Sequence, residues 1–219
     1  MNFFILICYF FFFIDQIYSQ EFNRIDDNGF KQGLWKKYYD WGGLKYEGEF
    51  IDNKEVGFFF FYDKKGRLFS KREYISPGDT SNVTVYMPSG KIEAEGKFKG
   101  KVKIGLWKYF SDNGYLLFTE EYVNGIKNGN EIVFYSDSSI FKSIKWKNNF
   151  KDGESLKYYK NGKIQEVKYY SEGLLNGEYI NYFPNGIIKI KGNYKNGIKV
   201  SVWEYFDKYS KLINIQDYK

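Results

Sequence analysis

The chain has 219 residues, a mass of 26.1 kDa and a formal net charge of +6. Aromatics make up 22% of it, Pro only 3 residues, and it has no His and a single Cys, Cys8. This composition excludes histidine bases, His or Cys metal sites, Ser-His-Asp triads, thiol nucleophiles and disulfides, and it points to a strand-rich, ordered chain rather than a disordered one.

The N-terminal stretch reads as an address. Phe3 to Ile14 is a run of twelve apolar residues followed by the short polar stretch Asp15 to Gln20. A membrane-spanning helix needs ~20 apolar residues, whereas twelve suit the hydrophobic region of an export signal. Residues 1–19 are therefore expected to be a cleaved signal peptide, with Gln20 as the new N-terminus and residues 20–32 as an N-terminal cap segment. The mature chain would carry 33 Lys and Arg against 26 Asp and Glu, a balance of +7. The signs are interleaved without a basic block, which argues against nucleic acid and leaves at most a weak anionic membrane contact.

From residue 33 to residue 219 the sequence repeats every 24 residues. Gly33, Gly57, Gly105, Gly129, Gly153 and Gly177 mark position zero, with Ser81 and Ser201 at the two other lattice points. At position five stand Tyr38, Tyr62, Tyr86, Phe110, Phe134, Tyr158, Tyr182 and Phe206. At position seventeen stand Phe50, Tyr74, Phe98, Tyr122, Trp146, Tyr170, Tyr194 and Tyr218, and position eleven is always Leu or Ile. Sixteen aromatics in sixteen places is a repeat signal, because a 22% composition would supply three or four by chance.

Each unit offers two apolar runs cut by turn residues, and eight Asn-Gly pairs occur along the chain. Pro88-Ser89-Gly90 and Pro184-Asn185-Gly186 place Pro before the turn pair. That predicts a three-residue loop ending in a left-handed Gly, a bulged hairpin. Loop parity then puts positions five, eleven and seventeen on one face. No unit can bury such a face alone, so neighbouring units must stack. The fold expected is all-β, an elongated antiparallel β-hairpin repeat array forming a single twisted meander of eight 24-residue units.

Position two carries Trp35, Phe59, Val83, Trp107, Tyr179 and Trp203, with Glu131 and Ser155 in the middle units. Assigned to the opposite face beside Lys45, Glu47 and Glu49, this row reads as a binding strip formed by Trp35, Phe59, Trp107, Tyr179 and Trp203. The alternative is that the rings pack over neighbouring backbone. Carboxylate pairs such as Glu93 with Glu95 are solvated strand charges without a pocket, and Asp26-Asp27-Asn28-Gly29 lacks the spaced ligands of a calcium loop.

The segment Gly105-Leu106-Trp107-Lys108-Tyr109-Phe110-Ser111-Asp112-Asn113-Gly114, with its continuation Tyr122-Val123-Asn124-Gly125-Ile126-Lys127-Asn128-Gly129, resembles the bacterial variant of the MORN repeat (membrane occupation and recognition nexus). The resemblance covers residues 29–218 and implies a β-hairpin interaction scaffold without enzymatic chemistry. Proteins with this variant often carry the label of antitoxin in toxin–antitoxin systems. Units five and six depart from the pattern at position two, and Ser138 replaces a turn Gly. The expectation is an exported, non-enzymatic scaffold without cofactor or metal, binding a protein or glycan. The alternatives are an antitoxin or immunity-type protein and a peripheral membrane scaffold, and the oligomeric state is left open.

Overall fold

The computed structural model describes residues 21–219; the expected signal peptide lies outside the described residues. The first strands are β1 (Arg24–Ile25), β2 (Lys31–Tyr38), β3 (Leu44–Ile51), β4 (Lys54–Tyr62), β5 (Leu68–Ser76) and β6 (Thr80–Tyr86). β7 (Ile92–Lys99), β8 (Val102–Phe110), β9 (Leu116–Val123), β10 (Ile126–Phe134), β11 (Ile140–Lys147) and β12 (Phe150–Tyr158) follow. The chain closes with β13 (Ile164–Ser171), β14 (Leu174–Tyr182), β15 (Ile188–Lys195), β16 (Ile198–Phe206) and β17 (Leu212–Tyr218). Every strand pairs antiparallel with the next in sequence, which makes one open meander of hairpins. Among the described residues no helix is present, so none is long and apolar enough to cross a membrane.

Two kinds of turn alternate. The first turn of each unit is the expected three-residue loop: Gly114 N–H donates to the Ser111 carbonyl and Ser111 N–H to the Tyr115 carbonyl, with Gly114 at φ 80°. Ser138 and Ser210 hold the same left-handed position at φ 66° and 67°. Most of the turns between units are tighter. Asn124-Gly125 and Asn196-Gly197 have positive φ at both residues, as a type I′ hairpin requires.

The register corrects the expected faces. Phe110 pairs with Leu116 and Tyr109 with Phe118, so Leu117 is left without a partner. One extra residue in the second strand is a bulge, and it reverses the alternation beyond it. The same shift recurs in all eight first hairpins, for instance where Tyr38 pairs with Leu44 and Lys37 with Tyr46. Positions five and eleven therefore do not share a face with position seventeen. Position seventeen lies instead with positions two, four, thirteen and fifteen on what is called here the ring face; positions one, three, five, eleven, fourteen and sixteen form the reverse face. The bond from Tyr62 Oη to Glu47 Oε1, 2.7 Å, joins positions five and fourteen on that reverse face.

The core sits on the ring face. Val83, Ala94 and Trp107 are buried together, with Val85, Phe98, Tyr109 and Tyr122 against them. Edge-on ring pairs link successive units: Phe50 with Phe59 at 5.2 Å, Phe98 with Trp107 at 5.1 Å and Tyr194 with Trp203 at 5.0 Å. Such T-shaped contacts each add ~1 kcal/mol beyond the area they bury.

Candidate functional site: the ring face and its charged centre

The predicted strip is part of the core. Phe59 is 2%, Trp107 2% and Trp203 1% exposed, so these three rings do not face a partner. Trp35 and Tyr179 are half-buried in the same row. The physical reason is the register: position two pairs with position fifteen, not with the charged positions twelve, fourteen and sixteen. Trp35 faces Gly48, Val83 faces Gly96 and Tyr179 faces Gly192.

Those three glycines explain how the rings bury. A Cβ on Gly48 would lie 2.4 Å from the Phe59 ring; on Gly96, 2.3 Å from Trp107; on Gly192, 2.2 Å from Trp203. In each case the ring of the next unit lies flat over bare backbone. Where position fifteen carries a side chain, the next unit has no such overlay and the two residues pair directly: Arg72 with Val83, Glu120 with Glu131, Ile144 with Ser155 and Lys168 with Tyr179. Each glycine at position fifteen is thus followed eleven places later by a ring that lies over it, a relation the reading of columns within single units does not register.

A column of lysines covers the rings from above. Two residues before position zero, the Lys31 ammonium lies 4.8 Å from the Trp35 ring centre, Lys103 4.3 Å from Trp107 and Lys199 4.2 Å from Trp203. Each is a cation–π contact that also shields an apolar surface with a methylene stem. The Asn-Gly-Ile-Lys stretches at Asn124–Lys127 and Asn196–Lys199 are the sequence signal for this column.

Between β9 and β13 the aromatic row gives way to charge. Glu120 and Glu131 are cross-strand partners, and like charges in that relation repel. Lys127 sits between them, 2.7 Å from Glu120 Oε1 and hydrogen-bonded to Glu131 Oε2, while its ammonium lies 4.1 Å from the Trp146 ring. Tyr122 Oη donates to Glu120 Oε2 at 2.6 Å. Burial raises the Glu120 carboxyl, but the bonds from Lys127 and Tyr122 outweigh it and hold the group below the usual glutamate range. Burial, then the bond to Glu120, pushes the Tyr122 phenol far above its ordinary value. Farther along, Lys168 and Glu166 form a second partly buried pair at 2.8 Å.

On the reverse face, position one leaves large apolar side chains open: Phe58 46%, Leu106 48% and Val202 45% exposed. They stand among the charges of positions three, fourteen and sixteen, such as Lys71, whose ammonium lies 4.2 Å from the Phe58 ring.

No curated protein matches the chain. The family described as the MORN repeat variant matches residues 151–172 and 175–196. The two windows are offset by 24 residues, and each begins two residues before a lattice glycine, Gly153 and Gly177. MORN repeats are in general scaffold motifs that bind proteins or membranes. Residues 151–172 and 175–196 are thus similar to MORN-type repeats.

Proposed function

We propose that this protein is an exported, non-enzymatic scaffold that binds a protein or glycan along the reverse face of its sheet. The observation that supports this reading is the exposed apolar row Phe58, Leu106 and Val202 set among charges on one continuous sheet, while the rings of the ring face are covered. Isolated large apolar side chains on a polar background suit a partner that buries them one at a time rather than a deep small-molecule cleft. The apolar stretch Phe3 to Ile14 supports export.

Photo-crosslinking in the source cell tests the reading. A benzoylphenylalanine placed at Leu106 is expected to capture one defined partner outside the cytoplasm, and Leu106→Asp at the native position to abolish association with that partner after purification. A partner captured only from ring-face positions such as Lys103 would overturn it, as would a protein that retains Met1 in the cytoplasm.

A further inference from the structure

The ring face of β11, β12 and β13 lays out a grid of side chains around a small one, Ser155. Ser155 pairs with Ile144 on one side and Lys168 on the other. One row along, Lys157 stands between Lys142 and Glu166. On the other side of Ser155, Trp146 pairs with Lys151. Four lysines thus surround one serine. Only Lys168 has a carboxylate in ion-pair contact, Glu166, among the described residues.

Two donors at this place are unspent. Ser155 is 2% exposed, and its hydroxyl finds no hydrogen-bond partner; neither does the buried indole N–H of Trp146. In the ring-bearing units the position of Ser155 is filled by Phe59, Trp107 or Trp203, against which the ring of position seventeen packs at 5.0 to 5.2 Å. Here Trp146 takes the position-seventeen place and a hydroxyl replaces the facing ring. Burial, then the ammoniums of Lys168 and Lys151, push the Lys142 amine below its ordinary value, with Glu131 and Glu166 pulling the other way. Gathered cations and unpaired buried donors each cost free energy that a bound anion would recover.

We propose that this grid is a binding site for one compact dianionic oxyanion, a sulfate or phosphate group, held by Lys142, Lys151 and Lys157 over the Ser155 hydroxyl. A tetrahedral dianion offsets most of the excess positive charge and offers acceptors in several directions at once. The site goes beyond the scaffold reading, since it lies on the opposite face and requires no particular protein partner. It also accounts for why unit six has a serine in place of the ring at position two.

The test is a titration of the ¹⁵N-labelled protein with sodium sulfate, at ionic strength held constant with chloride, following the Trp146 indole N–H. That resonance is assigned by its loss in Trp146→Phe. The expected result is a saturable shift confined to Trp146 among the indoles, weakened about tenfold in Lys142→Met and again in Lys157→Gln. Glucose 6-phosphate, a monoester that is dianionic at about pH 8, forms a second arm. Equal binding of the ester means that the group is read on a larger partner, and binding of inorganic sulfate alone means that the ion itself is the ligand. No saturable shift, the same shift with chloride alone, or unchanged affinity in a folded Lys157→Gln would overturn the proposal. Unchanged shifts at Trp107 and Trp203 report that each variant is folded.

Discussion

Gly96 and Trp107 are eleven residues apart in sequence and in contact in space. A Cβ at residue 96 would stand 2.3 Å from the indole, which lies over the bare backbone of the preceding unit. The same relation joins Gly48 to Phe59 and Gly192 to Trp203. Real Cβ contacts do not approach so closely, so glycine and ring are required together.

The first prediction follows from that pair. Gly96→Ala forces the Trp107 ring off its seat and is expected to destabilise the protein by ~2 kcal/mol. Gly96→Ala with Trp107→Val copies the Arg72–Val83 arrangement, in which side chain faces side chain. The double variant should therefore lose much less than the two single losses added together. Urea unfolding of the four proteins measures this coupling. Simple additivity would show that the glycine and the ring act separately.

Ser201 occupies a lattice point where most units have glycine, at φ 58°. A left-handed backbone costs a residue with a Cβ about 1 kcal/mol, which glycine does not incur. Ser201→Gly should raise stability by roughly that amount, and a lower thermal midpoint would refute the strain assignment.

The sequence makes part of this architecture legible and hides the rest. The 24-residue period, the two aromatic columns and the three-residue loop at Pro88-Ser89-Gly90 follow from local chemistry, and the structure bears them out. The faces do not follow. Loop parity presumes unbroken pairing, and the one unpaired residue typified by Leu117 moves positions five and eleven away from position seventeen. Of the two readings of the position-two row, a binding strip or rings packed over neighbouring backbone, the structure shows the second at Trp107 over Gly96 and Trp203 over Gly192. Gly48, Gly96 and Gly192 were open to view in the sequence, but their meaning lies between units, in the register across the tight turns. Lys127 follows the turn pair Asn124-Gly125, and nothing local marks it as the half-buried cation between Glu120 and Glu131.

That lysine carries a prediction with a definite sign. The Glu120 carboxyl is held below its ordinary value in the folded protein, so its contribution is complete above the unfolded glutamate pKa and is lost as pH falls through the lower folded value. Lys127→Met leaves Glu120 facing Glu131 without a cation and should cost ~2 kcal/mol at pH 7. The two carboxylates then repel, and protonation relieves them. Between pH 7 and pH 4 the variant should close part of its gap to the parent protein. A gap that widens on acidification would contradict the arrangement.

At the alkaline end the tyrosines dominate. Burial, then the bond to Glu47, pushes the Tyr62 phenol up to about 12, and burial with Glu166 pushes Tyr179 up further. A raised folded pKa gives stability that is complete below the ordinary tyrosine value near 10 and is lost as pH rises through the folded one. Absorbance at 295 nm should show a class of tyrosines ionising only around pH 12, together with unfolding. Glu47→Gln should bring the Tyr62 step to lower pH, and an unchanged titration would argue against the Tyr62–Glu47 bond.

The central claim is that the position-two rings hold the array together while the reverse face is free to bind. The most direct measurement compares urea unfolding of Trp107→Ala and Trp203→Ala with that of Leu106→Ala and Val202→Ala, their immediate neighbours on the other face. The account predicts losses of about 3–5 kcal/mol for each tryptophan and about 0.5 kcal/mol or less for each neighbour. Tryptophan variants as stable as the parent, with the larger losses at Leu106 and Val202, would place the core on the reverse face and contradict it.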